Sequence, residues 1–379
     1  MHASFCAPLW LSLSLPALAQ TYDVSTLAPP GGPVANTGRA IDVDGTRAIF
    51  GSSNGAWIAE RQATGRWEVV ADLVAPGVLT TAQYGQAVAI DGDRAVVGAP
   101  VDSSPGFTTG SICIFERDPA GLWAFSAQLF LPSAVALPLF GGAVDVDGDR
   151  IAVGASFERS PFGNQNSGVV HVFDRDAGGN WVLDATLGSP SATNGYRLGF
   201  SVALDGERLI AGAPNFGAPG HAFVFERTFF GWQEVADLMG SGAGSTGEFG
   251  AAVELSGPTA VVGGPGDDSV TSNSGAAWAY RRLVSGTWVE EQKLLPSNAL
   301  LGGSAGQALQ LSDNRLLMGV PLADGAGVVN AGMADLFERD GSGAWTLAQT
   351  LIPSAPTVDQ RAGYGVGLGD GWVLLGAPG

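Results

Sequence analysis

The side chains able to do chemistry in this sequence are few and poorly placed for it. Three histidines and two cysteines stand among 36 acidic and 18 basic residues. His2 and Cys6 sit at the extreme N-terminus, His171 and His221 fall in strand-like stretches, and Cys113 has no partner for a disulfide. A nucleophile needs a base within hydrogen-bond reach, and a zinc site needs several His or Cys ligands at short fixed spacings. Neither pattern occurs. Alternating acids are the other candidate: Asp145, Asp147 and Asp149 come closest to a calcium loop, with Asp42 and Asp44 next. Calcium takes about six to eight oxygens, more than these short loops supply, so Asp is expected here as a turn residue. The expectation is therefore no enzyme, no metal site and no cofactor, with calcium possible but not favoured.

A formal charge of −18 argues against nucleic acid, whose phosphates require basic patches. The 57 glycines and 22 prolines, with only 14% charged residues, read as many short strands joined by turns. Residues 1–19 are apolar, with a core at Leu9–Leu15 and the small-residue pattern Ala17-Leu18-Ala19, although no Lys or Arg lies near Met1. This reads as a secretory signal peptide, too short to span a bilayer, and no later stretch is long enough to do so. The remaining chain, 20–379, is expected to be secreted or held at the cell surface, with no transmembrane segment in its mature form.

The elements that would position any site are legible in a block that recurs seven times, written most clearly as YGQAVAIDGDRAVVGAP at Tyr84–Pro100. Its copies start near Gly38, Gly85, Gly141, Gly199, Gly250, Gly306 and Gly365, between 47 and 59 residues apart. That period suits one four-stranded sheet per repeat, as in a propeller blade. Within a copy, Ala87–Ile90 reads as a first strand, Asp91-Gly92 as a hairpin turn and Arg94–Val97 as the returning strand. A second element, GSICIFERDPAGLW at Gly110–Trp123, supplies a third strand, a turn and the tryptophan that opens the fourth. Trp67, Trp123, Trp181, Trp232, Trp288 and Trp345 hold one register position, each six residues before a leucine. Large rings at fixed positions fill the wedge between neighbouring blades. The fold expected is all-β, a seven-bladed β-propeller. The sequence ends two strands into its seventh copy, so the last blade is either incomplete or closed by an N-terminal strand, Tyr22–Leu27, beside Trp372–Leu375. A C-terminal truncation would leave the same pattern.

The pairs Tyr84-Gly85 with Gly98-Ala99-Pro100, Phe140-Gly141 with Gly154-Ala155-Ser156, Phe249-Gly250 with Gly263-Gly264-Pro265, and Tyr364-Gly365 with Gly376-Ala377-Pro378 resemble FG-GAP repeats. These are the units of integrin α-like propellers and of many exported bacterial proteins. The resemblance covers nearly all of 21–379 and implies a non-catalytic protein- or glycan-binding, adhesion-type module. It leaves open a purely structural extracellular repeat protein without a discrete ligand, or a propeller hydrolase or lyase.

Loop lengths point to a face. The segment joining the second and third strands varies from 4 to 14 residues between glycines, whereas the DG and Arg-to-Trp turns stay short. Long loops on a rigid scaffold are where recognition is usually carried. Asp102, Phe107, Phe157, Phe162, Asn164, Phe216, Asp267, Asp268 and Asp324 are the candidate binding residues on that face.

Overall fold

The computed structural model describes residues 9–13, 25–27, 36–79, 81–104, 109–131, 138–215, 219–298 and 302–379. Blade two shows how each repeat folds. Val88–Asp91, Arg94–Ala99, Ser111–Arg117 and Trp123–Phe130 pair in chain order as an antiparallel meander. Asp91 pairs with Arg94 across a two-residue turn in which Gly92 has φ 55°, a backbone state that glycine adopts without strain. Alternation does the rest: apolar side chains on both faces of the middle strands pack against the preceding and following blades. Ile49, Val88, Ile90, Ala95 and Phe115, for example, share one core cluster between blades one and two.

Six whole blades form in this way. The seven-bladed expectation is corrected to six whole blades; the seventh repeat, two strands long as its sequence indicates, supplies only the two-stranded sheet Val366–Gly369 with Trp372–Leu375. N-terminal strands lie on its outer edge. Leu9–Leu13 pairs antiparallel with Trp372–Leu375, and Ser25–Leu27 pairs in turn with Leu9–Leu13. The sequence places Tyr22–Leu27 in the sheet of Trp372–Leu375; Ser25–Leu27 does lie in that sheet, one strand out from Trp372–Leu375, and residues 22–24 lie outside the described residues. Most of the segment read as a signal peptide lies outside the described residues, while its apolar centre, Leu9–Leu13, is this sheet-forming strand.

A second correction concerns register. The seventh copy starts at Gly363, two residues before the expected Gly365. Gly363 has φ 89° and donates its N–H to the Gly376 carbonyl at 2.9 Å, as Gly306 does to Gly319 at 3.1 Å. Ala362-Gly363 therefore takes the place given to Tyr364-Gly365, and the two glycines are 13 residues apart in all seven copies.

These glycines explain how the ring closes. A Cβ on the second glycine of any copy would lie only 1.9–2.0 Å from the carbonyl oxygen of the first glycine in the next copy, from Gly51 against Gly85 round to Gly376 against Gly38. Real Cβ atoms do not approach so closely, so only glycine permits this main-chain contact.

Farther out, the arginine that opens the second strand ties each of blades one to four to the next. Arg47, Arg94, Arg150 and Arg208 donate to the turn carbonyls of Gly92, Gly148, Gly206 and Gly257. Arg94 and Arg150 also lie over Trp181 and Trp232, at 4.9 and 5.2 Å from the ring centres. Trp67, Trp288 and Trp345 are buried, whereas Trp123, Trp181 and Trp232 are half-buried.

Candidate funnel site

The first strands of the sheets surround a central channel, and the side chains at its mouth are set by one position in the repeat. The block glycine turns the chain inward with positive φ, and the residue two before it is also left-handed in every copy: Asn36, Gln83, Leu139, Arg197, Glu248, Ser304 and Arg361, with φ between 52° and 61°. Non-glycine residues seldom hold this conformation. Here a repeated tight turn imposes it, as where Gln86 N–H bonds the Gln83 carbonyl at 3.1 Å. The turn delivers the residue after each glycine to the mouth of the channel.

Those seven residues are Arg39, Gln86, Gly142, Phe200, Ala251, Gln307 and Tyr364, and all of them line one cavity of about 810 Å³. The next position is small throughout (Ala40, Ala87, Ala143, Ser201, Ala252, Ala308 and Gly365), which keeps the funnel wide. Phe157, Glu248, Pro265, Asn273 and Ser304 complete the rim. They belong to the loops between second and third strands and to the connections between blades. Parallel bridges such as Gly168 with Leu198 and Gly275 with Ala305 join these two kinds of segment, so both lie on one face, as loop lengths led us to expect. The Arg39 guanidinium sits 5.8 Å from the centre of the Tyr364 ring. Burial raises the Glu248 carboxyl above the usual carboxylate range.

Deeper in the channel the lining turns acidic, around a second cavity of about 360 Å³. The innermost strand of a blade leaves one row of main-chain N–H groups unpaired, and the preceding blade supplies acceptors for them. Asp42 accepts from Ile90 N at 2.7 Å, Asp145 from Leu204 N at 2.6 Å and Glu254 from Leu311 N at 3.3 Å. One layer down, Asp44, Asp91 and Asp147 accept from Gly92, Gly148 and Gly206 at 2.9, 2.7 and 2.5 Å. Enclosure by protein raises the Asp42 carboxyl to about 7, offset in part by its N–H donors and reinforced by the charges of Asp44 and Asp91. Asp145 and Glu254 are raised well above the ordinary range, first by burial and then by repulsion from Asp42. The acids weighed as calcium ligands thus serve as acceptors between blades. No group of three or more His, Cys, Asp or Glu able to hold a metal ion occurs among the described residues.

The candidate residues chosen from loop length separate into three sets. Phe157 lines the funnel, with the Arg197 guanidinium 4.5 Å from its ring centre, and Phe162 is 54% exposed elsewhere on the loop face. The polar candidates fold their own loops. Asp102 is fully buried and accepts from Ser104 N, Ser111 Oγ and Gln128 Nε2, while Asp267, 1% exposed, binds Lys293 Nζ at 2.9 Å. Asn164 donates to the Ala192 carbonyl, Asp268 accepts from Asn273 N, and Asp324 accepts from Asn330 N. Phe107 and Phe216 lie outside the described residues. The sequence reading missed the ring at the funnel mouth. Its signal was present: within a block of near-constant residues, the one after the glycine reads Arg, Gln, Gly, Phe, Ala, Gln, Tyr.

Neither remaining histidine faces the channel. His171 is buried against Glu158 at 2.8 Å and Thr186 at 3.0 Å, and His221 bonds Asp237 at 2.7 Å. No helix among the described residues is long and apolar enough to cross a membrane.

The ring of antiparallel sheets around an open funnel defines a β-propeller. The FG-GAP repeat family matches at residues 67–115, 123–173 and 232–280, which span strands of blades one to five, so the chain carries FG-GAP repeats in these three stretches. No curated protein matches it. Among solved structures, a protein from Lactobacillus plantarum is similar over 93% of this chain and 97% of its own, with 14% identity and a TM-score of 0.57. A protein from Bacteroides uniformis ATCC 8492, provisionally assigned as a 6-phosphogluconolactonase, covers 93% and 98% at 10% identity with a TM-score of 0.58. At such identities the likeness concerns the fold.

Proposed function

We propose that this chain is an exported, non-catalytic binding module that holds a protein or glycan ligand at the cell surface through the funnel on its loop face. The observation that carries this reading is the funnel-mouth ring, where a scaffold of repeated residues presents six residue types at seven equivalent positions to one open cavity. A volume of about 810 Å³ falls within the range of ordinary ligand sites. The variable loops form the outer wall of the funnel, and the repeat supplies its floor. A purely structural repeat protein would have no use for such diversity at one position.

The test is an array of immobilised glycans and extracellular proteins probed with the full chain and with Gln307→Trp, which plugs the funnel from its own lining. Saturable binding lost in Gln307→Trp, with an unchanged melting temperature, supports the reading. Absence of binding, or binding indifferent to the plug, overturns it.

A further inference from the structure

We propose that the funnel takes the end of a neutral oligosaccharide. This rests on the binding-module reading and narrows it to one ligand class. Most polar side chains on the loop face already have partners within the chain: Asp102 with Ser111 and Gln128, Asn164 with Ala192, Asn330 with Asp359. The funnel differs. Among the described residues, the side-chain amides of Gln86, Asn273 and Gln307 make no hydrogen bond, and the Glu248 carboxyl has neither a hydrogen bond nor an ion pair. Three amides and a carboxyl therefore converge on one cavity with their capacity unused.

Amides both donate and accept, which matches hydroxyl groups that do the same. Beside them the Phe200 ring, 38% exposed, offers apolar surface of the kind on which the C–H face of a pyranose packs, next to the Phe157 ring on which the Arg197 guanidinium lies. Charge then selects among saccharides. The mouth carries Arg39, with Arg197 stacked on Phe157 beside it, and the Glu248 carboxyl, while the channel below is lined by the carboxylates of Asp44, Asp91, Asp147 and Asp205. An acidic sugar entering the channel would meet like charge, whereas a neutral one would meet amides and rings.

Calorimetric titration of the full chain with maltotriose, cellotriose and chitotriose, against trigalacturonate as the acidic counterpart, tests the inference. At least one neutral trisaccharide is expected to bind with a Kd of about 1 mM or tighter, and trigalacturonate at least about tenfold more weakly. The double variant Gln86→Ala/Gln307→Ala should weaken the neutral ligand by about tenfold or more while keeping its melting temperature. If that variant fails to fold, Gln86→Glu serves in its place, since it retains the side chain's length and changes donor to acceptor. No neutral trisaccharide binding at about 10 mM, equal binding of trigalacturonate, or indifference to these variants overturns the inference. Should an arrayed protein bind and be lost in Gln307→Trp while no saccharide binds, the oligosaccharide assignment falls and the binding-module reading stands; if nothing binds, both fall.

Discussion

The carboxylates of the channel should make stability fall as pH rises, and Asp42→Asn isolates the effect. The folded chain holds a proton on Asp42 up to about pH 7, against an ordinary value of 3.8. A raised carboxyl binds more protons folded than unfolded, so its stabilising contribution is complete below about pH 4 and is lost as pH climbs through 7. A shift of about three units corresponds to about 4 kcal/mol at ~1.4 kcal/mol per unit. Asp42 is half-buried against an open channel, and solvent screening reduces this to about 2 kcal/mol. Asparagine keeps a carbonyl that can accept from Ile90 N and removes the charge. Urea unfolding followed by tryptophan fluorescence should therefore find variant and wild type nearly equal at pH 4, with the variant about 2 kcal/mol more stable at pH 8. The comparison cancels the self-repulsion of a chain with charge −18, which both proteins share closely. Parallel stability curves from pH 4 to 8 would refute the argument, because they would mean that Asp42 titrates alike in the folded and unfolded chain.

Three further outcomes follow from the packing. Gly98→Ala should destabilise by at least about 4 kcal/mol or prevent folding, because its Cβ would sit 2.0 Å from the Gly141 carbonyl oxygen; a soluble variant with an unchanged urea midpoint would contradict the close contact. Trp288→Ala should cost about 3–5 kcal/mol and Trp123→Ala about half as much, since Trp288 is buried and Trp123 half-buried; equal losses in chemical denaturation would count against that ranking. Export with cleavage after Ala19 and pairing of Leu9–Leu13 with Trp372–Leu375 make opposite demands on the same residues. Mass spectrometry of chain recovered from the medium of an expressing cell should find residue 20 at its N-terminus, and secreted chain that keeps Leu9–Leu13 would refute cleavage.

Most of the blade was legible because it repeats. The Asp-Gly hairpins, the tryptophan register and the face that carries the long loops could be read from spacing, since each reflects a local geometric need. What could not be read depended on neighbours far away in sequence. Asp145 looked like a turn residue, and only the adjoining blade shows that it accepts from Leu204 N. Asp102 and Asp267 looked exposed because they lie in long loops, yet each loop folds back over its acid. Gly365 was favoured over Gly363 by the aromatic before it, whereas main-chain curvature selects the glycine 13 residues ahead of Gly376. The funnel ring does not show in what the copies share, because the informative position is the one at which they differ.

The seven glycine contacts carry an evolutionary consequence. At each of these contacts main chain meets main chain, with no side chain at the point of closest approach. A repeat copied, exchanged or shuffled into another place would meet the same joint on either side, so the circle works like a cask whose staves share one bevel. Innovation could then proceed one residue at a time at the rim, without renegotiating the hoop that holds the staves together.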